Sequence, residues 1–202
     1  MNIVGNAHDS LVFGRRIRVL AGHLSKLIPE NAQVLDVGCG NGRLAVRLMQ
    51  LRSDITIEGV DVLVRPDTAI PVTEFNGETI PRYDNSVDTV MLVDVLHHTD
   101  DPMFLLAEAA RIASRAIVIK DHTRDGILAY TTLKFMDWIG NAHHNVRLPY
   151  NYWPEARWRE SFAGLGARIE SWQARLALYP FPASLIFDRS LHFVARISPE
   201  GT

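Results

Sequence analysis

A single cysteine, Cys39, is all the chain contains, so no intrachain disulfide can form and a reducing, cytoplasmic setting is the simplest expectation. Long apolar runs are also missing. No stretch approaches the ~20 residues of a membrane span, and Met1–Asp9 has neither the positive start nor the apolar core of a secretion signal. Charge of one sign is not in excess either. A net charge of −2 offers no basic stripe, so nucleic acid is not the expected partner and a small or lipid-like molecule is. Repeats and low-complexity tracts are absent. What remains is 202 residues, 47% hydrophobic and 22% charged, enough for one well-buried α/β domain over 1–202 but not for two.

The densest signal is Val34-Leu-Asp-Val-Gly-Cys-Gly-Asn-Gly-Arg-Leu-Ala45, an apolar strand turning through three glycines into a helix. Gly38, Gly40 and Gly42 let backbone approach a ligand and accept positive φ. Asp36 lies near the strand's carboxyl end, where open α/β sheets bind ligands. A dinucleotide fingerprint wants glycine at its sixth position, and here that position is Arg43, which weighs against a nicotinamide cofactor. A second strand, Ile55–Val60, ends at Asp61, placed to accept hydrogen bonds from both hydroxyls of a ribose. Cys39 reads as a small filler of the turn, because nothing beside it in sequence serves as a base.

Farther on stands Tyr83-Asp-Asn-Ser-Val-Asp-Thr-Val-Met-Leu-Val-Asp-Val-Leu-His-His-Thr-Asp-Asp-Pro102. With the glycine turn and Asp61, this block resembles the class I S-adenosylmethionine-dependent methyltransferases, the broad group that includes ubiquinone and menaquinone biosynthesis C-methyltransferases. The resemblance covers roughly residues 30 to 120. It implies a Rossmann-like three-layer sandwich with a mostly parallel seven-stranded sheet and an antiparallel C-terminal hairpin, its strand order reversing between the first and fourth strands.

It also implies S-adenosylmethionine as cofactor, in a site drawn from Asp36, Gly38, Cys39, Gly40, Asn41 and Gly42, then Asp61 and Val62, Asn76 and Gly77, and Val93 and Asp94. Asp61 would hold the ribose, Asp36 the donor's amino group or a water, and Asp94 the methionine end. Related enzymes place an acid where Asn76 stands, and Asn76 can still accept from adenine through its amide oxygen. An oxidoreductase and a non-catalytic binding or partner-stabilising module are the competing readings.

Phe13, Ile17, Leu20, Leu24 and Leu27 predict an opening helix within 1–29, with Asp9 as N-cap and Pro29 as stop. Pro66 and Pro71 predict a shortened or missing helix after Asp61. Asp88–Val93 reads as strand four, Asp101 and Pro102 start a helix burying Leu105, Ala109 and Ile112, and Ala116–Ile119 reads as strand five. Residues 121–160 form an acceptor-side insertion, with helices near 126–139 and from Pro154. Residues 168–172 and 191–197 close the sheet.

The insertion holds Tyr130, Phe135, Trp138, Tyr150, Tyr152, Trp153 and Trp158, aromatics that can wall an apolar acceptor site. Candidate general bases are His97, His98, His122, His143 and His144. For His97 and His98 the competing role is shaping the turn after strand four. Asp94 and Asp121 are too few acids to specify a metal, and none is expected.

Overall fold

The structure, a computed structural model, describes residues 3–141 and 149–199, with side chains for 14–138 and 149–199. Helix α1 spans Ile3–Leu24, β1 Gln33–Val37, α2 Arg43–Leu51, β2 Thr56–Asp61, β3 Val72–Glu74 and β4 Val87–Val93. A short 3₁₀ turn, Leu96–His98, leads to α3 Pro102–Ile112 and β5 Ala113–His122. Helices α4 Ala129–Asn141 and α5 Glu155–Gly164 precede β6 Arg168–Gln173, α6 Ser184–Phe187 and β7 His192–Ser198.

The seven strands lie in the order β3-β2-β1-β4-β5-β7-β6. Pairing is parallel from β3 through β5, and β7 runs antiparallel to both β5 and β6. The order reverses between β1 and β4, so their carboxyl ends open a crevice. Because helices cover both faces, the central strands are apolar on both sides. Val90, Leu92, Ile117 and Ile119 pack toward α3 and α5, whereas Met91 and Val118 pack toward α1 and α2, the alternation a pleated strand imposes. No helix among the described residues is long and apolar enough to cross a membrane.

Local signals set several boundaries. Asp101 caps α3 by accepting from the backbone N–H groups of Met103 and Phe104, with Pro102 at the first helical position. Leu105, Ala109 and Ile112 are buried as the periodicity requires. Between Asp61 and β3 no helix forms, consistent with Pro66 and Pro71.

Two expectations need correction. Helix α1 begins at Ile3, so Asp9 lies inside it rather than capping it; no proline upstream stops the winding from running back. Strand β5 extends over ten residues, Ala113–His122, not the four of its apolar centre. Its charged end, Lys120-Asp121-His122, is buried and stays in the ladder with β7, because partners from other elements meet those charges.

Candidate functional site

The bend after β1 is left-handed at Gly38 (φ 71°) and Gly40 (φ 58°). A Cβ at Gly38 would stand 2.5 Å from Val95 Cγ2, so the loop leaving β4 approaches the β1 turn too closely for any side chain. At Gly40 the nearest group is the Arg65 guanidinium, 3.9 Å away, and the requirement there is torsional alone. Asp61 ties the turn to β2: Oδ2 accepts from Gly40 N (2.7 Å) and Oδ1 from Leu63 N (3.0 Å). Each oxygen retains acceptor capacity toward the crevice.

A cavity of about 640 Å³ lies in front of this turn, within the range of roughly 300–1,000 Å³ typical of ligand sites. It brings together Gly38, Asp61, Val62, Asn76 and Gly77 from the sequence-predicted set. Sequence reasoning missed its apolar walls, Phe75 and Val95 with Phe104 and Leu105 of α3. Their signal was proximity, since each falls within a few residues of a motif position. His98 and Thr99 also line it.

Other predicted cofactor residues sit behind the cavity wall. Asp36 is buried, and burial, reinforced by Asp61, pushes its carboxyl up to about 8. Cys39 packs beneath Gly59, where an added Cβ would overlap its sulfur, and burial pushes its thiol up to about 12. It is a protonated packing residue. The Asn41 amide oxygen accepts from Arg43 N at 3.3 Å, at the start of α2. Asn76 is corrected: its amide oxygen accepts from both Glu78 N and Thr79 N at 2.9 Å, so it organises its own loop and is spent as an adenine acceptor.

Val93 ends β4, and Asp94 turns left-handed (φ 55°) toward a cluster of charges. Its carboxylate pairs with Arg16 of α1 (2.8 Å) and with the fully buried Lys120 of β5. Burial opposes its ionisation, but Lys120 and then Arg16 hold its pKa well below the usual carboxylate range. Asp94 therefore anchors α1 across the crevice.

Next to it, His97 Nδ1 lies 2.7 Å from Asp121 Oδ1, which also accepts from His122 N. Asp137 of α4 accepts from the Tyr152 hydroxyl. Burial alone would lower the His97 pKa, but Asp121 and Asp137 carry it up to about 10. His122 is sealed, and burial with the nearby Lys120 keeps its pKa well below the ordinary value. Neither ring reaches the cavity. His98 does; burial and His97 lower its pKa, leaving a neutral imidazole at pH 7. His143 and His144 lie outside the described residues.

The expected aromatic wall is also corrected. Trp153 and Trp158 are core residues; Trp158 packs on Phe193 and donates its indole N–H to His122 O at 3.0 Å. A helix covering a sheet buries its largest side chains for their apolar area. Tyr152 is buried as well, whereas Tyr150 is half-buried and Tyr130, Phe135 and Trp138 are exposed on α4. None of the seven lines the main cavity.

Residues 35–119 match the family described as "Methyltransferase domain". The tRNA U34 carboxymethyltransferase of Nautilia profundicola is 31% identical over 91 residues, 39% of this chain and 30% of that protein. The 27-O-demethylrifamycin SV methyltransferase of Amycolatopsis mediterranei is 27% identical over 108 residues, 46% of this chain and 39% of that protein. The chain thus spans well under half the length of these curated relatives. A solved SAM-dependent methyltransferase of Thermotoga maritima has the same fold, with a TM-score of 0.66 at 20% identity over 96% of each chain. By this match, the strand order, the glycine turn feeding α2 and the acid closing β2, residues 35–119 are similar to a methyltransferase domain.

Proposed function

We propose that the protein transfers a methyl group from S-adenosylmethionine to a small acceptor with an apolar or aromatic body. The observation that carries this reading is the cavity beside the β1 and β4 loops, lined by the Gly38 turn, the Asp61 carboxylate and the His98 imidazole. The residues fit the cofactor. Asp61 accepts from the ribose hydroxyls, Val62, Phe75, Phe104 and Leu105 enclose a flat base, and the Gly38–Gly40 backbone receives the chain leading to sulfur. Asp36 lies beneath the turn, where a ligand ammonium or a water meets it.

When bound, the sulfonium supplies an already activated methyl group, so the chain's task is alignment. Holding two reactants in line lowers a barrier by as much as about 7–11 kcal/mol. Asp94, paired with Lys120 and Arg16, ties α1 to the segment that leaves β4 beside the site. His98 is the imidazole on the cavity wall and takes a proton from an acceptor O–H or N–H. Tyr130 and Trp138 remain exposed on α4 for the body of a lipid-like acceptor, with Tyr150 beside them and Tyr152 holding α4 through Asp137. The lone cysteine fits a cytoplasmic setting.

The test is transfer of labelled methyl from adenosylmethionine across acceptor panels containing phenols, quinols, amines and structured RNA. Labelling of a small apolar acceptor supports the proposal. Tight binding of adenosylhomocysteine with no transfer to any panel member would favour a non-catalytic module. Binding of NAD(H) in its place would favour an oxidoreductase.

A further inference from the structure

We propose that His97, His98 and Asp137 form a site for a divalent first-row transition-metal ion beside the cavity. The two histidines occupy consecutive positions of the 3₁₀ turn after β4, and Asp137 reaches them from α4. One ligand atom from each lies within 4.8 Å of the other two. His97 Nε2 stands 3.4 Å from Asp137 Oδ2 and makes no hydrogen bond. Two ligands held about 2.1 Å from one ion at a tetrahedral angle stand about 3.4 Å apart.

The surrounding groups support a ligand role. Asp121 accepts from His97 Nδ1 at 2.7 Å, so an ion bound at Nε2 takes the place of the Nε2 proton that the metal-free imidazolium carries, the carboxylate–histidine arrangement seen behind metal ligands. Tyr152 orients Asp137 by donating to it. His98 Nδ1, like His97 Nε2, is buried without a hydrogen-bond partner, and unpaired buried polar atoms call for an explanation. Two imidazoles and one carboxylate suit iron, cobalt, nickel or zinc better than calcium or magnesium. Three protein ligands leave coordination positions open. Of the three ligands, His98 is the one that also lines the cavity.

A second donor set, Asp94, His97 and His122, is a poorer choice. Asp94 already pairs with Lys120 and Arg16, and an ion there would face two cations. Sequence spacing did not expose the site, because Asp137 lies far from the histidine pair along the chain. The inference does not rest on the cofactor assignment, but an ion on His98 takes the lone pair assigned above to proton transfer.

The experiment uses tag-free full-length protein, stripped with chelator and titrated with Co²⁺ at neutral pH. One equivalent should bind with visible d–d absorption and raise the melting temperature. His98→Ala, at a half-buried position, should keep the circular dichroism spectrum and lose the bands, and Asp137→Asn should do the same. Losing either ligand should weaken cobalt by more than the roughly 10–100-fold that outer-shell changes cost. Absence of bands in the parent protein, or bands unchanged in both folded variants, would overturn the site and leave His97 as an imidazolium between two carboxylates. Calorimetry of adenosylhomocysteine on the same sample reports separately on the cofactor.

Discussion

At the cofactor end of the crevice the Asp61 carboxylate lines an open cavity and is held by two backbone N–H groups. At the other end three carboxylates, the half-buried Asp94 and the buried Asp121 and Asp137, face Lys120, Arg16 and His97. The first end is backbone geometry that presents an acid to a ligand. The second is a set of side chains from α1, the segment after β4, β5 and α4 that pair with one another yet leave His97 Nε2 without a hydrogen bond. Equivalent charge removals should therefore read out differently: as lost affinity at the first end and lost stability at the second.

The largest effect should come from Asp94→Ala. It strips Lys120 of its carboxylate while the ammonium stays buried, and breaking such a pair costs about 3–5 kcal/mol, readable by urea unfolding. Asp61→Ala should cost far less stability. Equal losses would break the contrast.

Next, Gly38→Val combines overlap with Val95 and a left-handed torsion, itself about 1–2 kcal/mol. Adenosylhomocysteine affinity should fall at least about 30-fold. Gly40→Ala has room for its methyl and should show only the torsional part. If the two are alike, close packing of the β4 loop is not what shapes the turn.

A third contrast is affinity in Asp61→Ala. Loss of charge-assisted hydrogen bonds to the ribose, about 1.5–3 kcal/mol, should weaken adenosylhomocysteine roughly 10- to 100-fold by calorimetry, with the melting temperature of the free protein little changed.

A fourth contrast, in pH dependence, concerns Asp36, whose carboxyl sits at about 8 in the fold against an ordinary 3.8. A raised acid pKa favours the protonated folded state. That contribution is complete below about pH 4 and is lost as pH rises through about 8. Asp36→Asn, neutral at every pH, should flatten the decline of melting temperature between about pH 5 and pH 9. An unchanged slope would assign the pH dependence elsewhere.

The same contrast explains what could be read from the chain. Gly38, Gly40, Asp61 and the Asp101–Pro102 cap act through backbone or neighbours a few residues away, so residue type and spacing carry their meaning. Lys120, Asp121 and His122 interrupt an apolar run, and spacing truncates β5 there. Only the fold brings Arg16, Asp94 and His97 to those charges and keeps them in the strand. Asn76 offered the right chemistry for adenine, but two backbone N–H groups had first claim on its oxygen. Trp153 and Trp158 had the bulk of acceptor-site residues and the same bulk that a helix–sheet interface requires.

The most direct test of the central claim is a crystal structure with adenosylhomocysteine. The ribose hydroxyls should lie within hydrogen-bond distance of Asp61, the base between Val62 and Phe104, and sulfur near the Gly38–Gly40 backbone on the side of His98. A nucleoside bound elsewhere, or a cavity left empty at saturating ligand, would contradict the account.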